Sequence, residues 1–100
     1  MRLINTTSSH PELVQNQLRN TDAQLVEVYS AGNTDVIFTK AATHYELLIS
    51  NKYRAIKDEE LDAIRQFFLK RKINPEHIVP GQSKTLHTNN LIEMSFQIKE

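Results

Sequence analysis

The chain has 100 residues and 11.6 kDa, which sets the expectation of one domain, long enough to bury roughly 60–70% of its unfolded surface without metals or disulfides. Twelve basic and twelve acidic side chains cancel, so no large net field draws the molecule toward nucleic acid or an anionic membrane. The lack of cysteine excludes a disulfide framework, a thiol nucleophile and thiolate metal ligands, and the apolar share, 38% with Gly counted and Tyr left out, is below the roughly 45–50% usual in globular domains and points to a thin core.

The N-terminal residues MRLINTTSSHPEL lack the apolar core of a signal peptide. Nowhere does a run approach the roughly 20 apolar residues that span a membrane, so the expected compartment is the cytoplasm and a membrane is not an expected partner. Arg2 to Thr6 is β-like and fits a sheet edge. Ser9-His10-Pro11-Glu12 matches a capping box: the Ser hydroxyl accepts from a first-turn amide, Glu12 reaches back, and Pro11 is tolerated in the first turn. Leu13, Val14, Gln17 and Leu18 continue at helical spacing until Asn20-Thr21-Asp22 ends the helix.

The stretch from Gln24 to Ser50 organises the rest. It reads as three strands, Leu25 to Tyr29, Val36 to Thr39 and Tyr45 to Ile49, joined by short links into an antiparallel meander, with Gly32 at a positive-φ turn position. Their alternation is incomplete. Leu25 and Tyr29 oppose Val26 and Val28, Ile37 opposes Val36 and Phe38, and Leu48 opposes Leu47 and Ile49. A sheet with one wet face shows cleaner alternation, so the second face calls for cover from a helix, a terminal segment or another copy of the chain.

Asp58 to Lys72 is the strongest helical pattern, acidic in its first turn, basic in its last, with Leu61, Ile64, Phe67 and Phe68 on one stripe. Asn74-Pro75-Glu76-His77 reads as one helical turn that Pro80-Gly81 breaks. The last segment alternates between Ile92, Met94, Phe96 and Ile98 on one side and Glu93, Ser95 and Gln97 on the other, as a half-exposed strand does. The fold expected is α+β: one two-layer domain over residues 1–100, in β-α-β-β-β-α-β order, with two main helices on a mostly antiparallel sheet and an extra short strand near Thr85 to Thr88.

At LVQNQL, LVEVYSAGNT, HYELLISNKYR and FLKR the chain resembles, over nearly its full length, a family of short Gram-positive bacterial proteins described as a domain of unknown function. The resemblance implies a compact cytosolic α+β domain. It carries no catalytic, cofactor-binding or metal-ligating residue onto this sequence.

The residues themselves offer weak chemistry. His10, His44, His77 and His87 lack the H-x₃₋₅-H and HExxH spacings that put two ligands on one metal. Ser30, Ser50 and Ser83 sit in no nucleophile elbow, and the acids Asp58, Glu59, Glu60 and Asp62 belong to a helix first turn. Neither Gly32 nor Gly81 has the second glycine of a phosphate cradle. No catalytic residue, cofactor or metal is therefore assigned. The best surface candidate is an anion or nucleic-acid patch of Lys52, Arg54, Lys57, Lys70, Arg71 and Lys72, with Lys84 beyond, on condition that the segment after the third strand lies near the C-terminal end of the long helix. The leading expectation is a non-enzymatic cytosolic interaction or regulatory module that meets a protein partner or a second copy of itself. Phosphate or nucleic-acid binding through the patch comes next, and a small enzyme lined by some of His44, Glu46, His77 and His87 third.

Overall fold

The computed structural model describes the backbone of every residue except Asn89 and the side chains of all residues outside 81–89. Its elements are β1 (Ile4–Asn5), α1 (Pro11–Asn20), β2 (Ala23–Ala31), β3 (Thr34–Ala41), β4 (His44–Asn51), α2 (Asp58–Arg71), β5 (Ile78–Thr88) and β6 (Leu91–Ile98), with 3₁₀ turns at Thr7–Ser9 and Pro75–His77. The links between β2, β3 and β4 are so short that the strands can only pair antiparallel in sequence order. Gly32 takes φ 60° just after Ala31, which pairs with Thr34. A Cβ at Gly32 would meet open space, so the turn conformation, rather than crowding, selects glycine.

The described strands form one sheet in the order β1-β2-β3-β4-β6-β5, antiparallel throughout. The fold class is therefore α+β, as expected from the sequence. The order of elements along the chain also agrees, and in space β6 lies between β4 and β5. The extra strand expected near Thr85 runs from Ile78 and passes through Pro80, where a break was expected. Its register shifts between Ile78 and Ser83. Proline is tolerated there because β5 is an edge strand.

One face of the sheet carries the main core. Tyr29, Val36, Phe38, Leu47, Ile49, Ile92 and Met94 pack against Leu61, Ile64 and Phe68 of α2 and against Ile56 and Ile73 at its two ends. Phe68 meets Tyr29 edge-on at 5.1 Å and stacks on Phe38 at 5.3 Å, while Phe67 approaches Tyr29 at 5.6 Å. Such pairs add about 0.5–1.5 kcal/mol each beyond the area they bury.

The opposite face bears α1. Val26 and Val28 are buried but stand outside the α2-side core, and Gln17 of α1 and its C-cap Thr21 share a groove with Ile37 and Leu48 of the sheet. The two helices thus lie on opposite faces. This resolves the incomplete alternation of the strands: both faces are apolar because both are covered, although α1 covers less. Its Leu18, one of the apolar residues at helical spacing, is 41% exposed. The expected capping box is also absent. Ser9 belongs to the 3₁₀ turn, His10 is the N-cap without a side-chain hydrogen bond, and Pro11 opens the helix. The turn is held differently, by Thr7 Oγ1, which accepts from Val28 N at 3.0 Å, and by Thr6 N, which donates to Val28 O at 2.8 Å.

Candidate functional site

Three regions gather polar side chains against this scaffold. At the end of the sheet nearest the α2 N-terminus, Thr34 and Asn51 are both buried, one on β3 and one on β4, directly opposite each other. Asn51 Nδ2 donates to Thr34 Oγ1 at 3.1 Å, and Asn51 Oδ1 accepts from the amides of Tyr53 and Arg54 at 2.9 and 3.1 Å. Thr34 Oγ1 in turn donates to Glu60 Oε2 at 3.3 Å. Glu60 also accepts from the Lys57 amide at 3.3 Å and holds Arg54 through both carboxylate oxygens, with Nη2 to Oε2 at 2.9 Å. The Arg54 hydrogen bond is the largest influence on the Glu60 carboxyl and keeps it below the usual range. This network is a brace that fixes the entry to α2, because its polar groups satisfy one another.

The brace decides the fate of the basic set. The segment after β4 leads into the N-terminus of α2, so Lys52, Arg54 and Lys57 stand at one end of the helix and Lys70, Arg71 and Lys72 at the other. Fourteen helical residues separate them by roughly 20 Å at 1.5 Å per residue. The condition on which the six were grouped is not met. Arg54 is taken by Glu60, Lys72 Nζ lies 3.2 Å from Glu27 Oε1, and the Arg71 guanidinium sits 4.6 Å over the Phe67 ring. Lys70, Arg71 and Lys72 do share a shallow hollow of about 290 Å³ at the C-terminal end of α2. Lys84 lies outside the residues whose side chains are described, as do Ser83 and His87.

On the α1 face, β4 and β6 bring carboxylates together. Glu46 pairs in register with Ser95, and Leu48 with Glu93, so Glu46 and Glu93 are diagonal neighbours. Burial chiefly, then the hydrogen bond and the charge of Glu93, raise the Glu46 carboxyl to about 7. His44 Nε2 stands 3.6 Å from Glu46 Oε2. His44 and Glu46 border the groove of about 140 Å³ between α1 and the sheet. Of the residues considered for a small enzyme, His44 and Glu46 therefore meet, whereas His77 belongs to a separate cavity on the far side of the β3–β4 turn. Among the described residues, no group of three or more His, Asp or Glu side chains is placed to hold a metal ion.

That separate cavity, about 570 Å³, opens at the end of the sheet where β3 turns into β4. Tyr45 and Ile98 give its lining apolar side chains, and Lys40, Lys99, Glu76 and His77 give it polar ones. Sequence reading missed it because its residues run from Gln24 to Lys99 and share no local pattern. Only the alternation of β3 and β4 hinted at it, by placing Lys40 on the face of Tyr45.

A family model described as a domain of unknown function (DUF1827) matches residues 1–97. The crystal structure of a conserved protein of unknown function from Streptococcus thermophilus LMG 18311 superposes with a TM-score of 0.96 at 63% sequence identity, covering 100% of this chain and 99% of that chain. No curated protein matches.

Proposed function

The chain belongs to the DUF1827 family, and on that footing we propose that it is a non-enzymatic interaction module of the cytoplasm, one domain that pairs with a second copy of itself. The single observation behind this reading is the part of the sheet that α1 covers only incompletely. There Ile37 and Leu48 form a cross-strand pair, both half-buried, and Leu91 on the neighbouring strand is 43% exposed. A twofold pair of chains would bury this patch once on each protomer, the simplest way to remove a self-complementary apolar surface from water. Support for a single domain comes from the one sheet to which all described strands belong.

Light scattering over a concentration series from micromolar to millimolar tests the pairing. The mass should rise from 11.6 kDa toward twice that value, and Leu48→Lys should hold it at the monomer while leaving the circular dichroism unchanged. A wild-type chain that stays monomeric throughout overturns the reading. Phosphate binding through the basic residues is the weaker alternative, because the helix divides them and three of them already have partners.

A further inference from the structure

We propose that the cavity at the β3–β4 end of the sheet binds a small organic anion, a carboxylate or phosphate head on a flat or apolar body. Its volume of about 570 Å³ falls in the range of small-molecule sites, roughly 300–1,000 Å³. Its lining divides as such a ligand requires. Tyr45 and Ile98 contribute apolar surface to its lining, and Lys40 and Lys99 contribute basic side chains. Arg54 and Lys72 each have a carboxylate partner, whereas Lys40 and Lys99 have no ion pair among the described residues. Two ammonium groups against the one carboxylate of Glu76 leave the lining with a surplus positive charge, which selects an anionic head. Glu76 and His77 are then placed to meet a donor elsewhere on the ligand.

The walls are built before any ligand arrives. Tyr45 is 7% exposed and its ring stacks on Phe38 at 5.9 Å, so the core fixes its orientation. Ile98 N donates to Thr43 O at 2.9 Å and Lys99 N to His77 O at 2.8 Å, tying the end of β6 to the β3–β4 turn on one side and to the Pro75–His77 turn on the other. Asn74 Oδ1 closes that second turn by accepting from Glu76 N at 3.0 Å. A site whose backbone is already pinned loses little ordering entropy on binding.

Titration of the full-length ¹⁵N-labelled chain with phenyl phosphate and with benzoate tests this, with inorganic phosphate and benzyl alcohol reporting the head and the body alone. Either anion should shift the amides of Lys40 to Ala42, His77 and Lys99, and bind at least about 10-fold more tightly than inorganic phosphate or benzyl alcohol. The pair K40M/K99M, both lining the cavity, should keep the spectrum of the folded chain and lose about 10-fold in affinity. Phenyl phosphate bound and benzoate ignored identifies a phosphate head, and the reverse identifies a carboxylate. Three results overturn the proposal: shifts scattered over the surface, equal binding of benzyl alcohol, or affinity unchanged in K40M/K99M. The cavity lies at the end of the sheet and Leu48 on the α1 face, so the light-scattering mass of K40M/K99M should match the wild type whatever the outcome here.

Discussion

Glu46 is the side chain whose surroundings most change its chemistry. An ordinary glutamate titrates near 4.5; burial beside Glu93 raises this one to about 7. Because the folded state holds this proton more tightly than the unfolded chain, its stabilising contribution is complete below about pH 4.5 and is lost as pH rises through about 7. The full difference corresponds to roughly 3 kcal/mol. With 29% of the side chain exposed, solvent screening brings it to about 1–2 kcal/mol. Glu46→Gln keeps a donor toward Glu93 and removes the charge, so thermal melts should coincide with the wild type at pH 4 and rise by about 4–8 °C at pH 8. Equal shifts at both pH values would show that the carboxyl pair is not the cause. Asn51 is the opposite case, a buried group that is fully engaged. Asn51→Ala strands the Tyr53 and Arg54 amides, leaves the Thr34 hydroxyl with Glu60 alone and should cost about 2–4 kcal/mol in denaturant unfolding; a loss below half a kcal/mol would mean that water replaces it.

The two helices differ in what holds them. α2 buries Leu61, Ile64 and Phe68, opens with Asp58, Glu59 and Glu60, and closes with Lys70 and Arg71, so packing and dipole agree along its length. All ten residues of α1 are exposed or half-buried, and a helix that short is marginal on its own in water. Its anchors lie at the ends: Thr6 and Thr7 bind Val28, and Thr21 Oγ1 donates to Gln17 O at 2.6 Å. Hydrogen exchange should therefore find the α1 amides opening at least about 100-fold more often than those of β3 and β4. Comparable protection would mean that α1 is buried in solution by a second chain or another partner, which light scattering then separates. The boundaries of α2 were legible in the sequence, since charge and apolar spacing changed together at Asp58 and Lys72. Those of α1 were less so, because Ser9 mimics a cap that the 3₁₀ turn takes over.

In the whole molecule, one side of the sheet is sealed by α2 and the other is partly open beside α1, with the pinned cavity at the end of the sheet between them. Legible in the order of the residues alone were the period-2 strands, the glycine turn at Gly32, the extent of α2, and the fact that both faces of the meander are apolar. Each of these is set by neighbours a few residues apart, through backbone geometry and the side on which a side chain emerges. The sequence also carried the family motifs, and the resemblance they supported is the family now identified. The folded arrangement was needed to show which helix covers which face, that β6 slips between β4 and β5, and that the basic residues part to the two ends of α2. The same holds for Glu46 against Glu93 and for the convergence of Lys40, Tyr45, His77 and Lys99 on one cavity. Those juxtapositions join residues far apart in the chain, and they follow from strand register and order, which the sheet as a whole selects by what it buries.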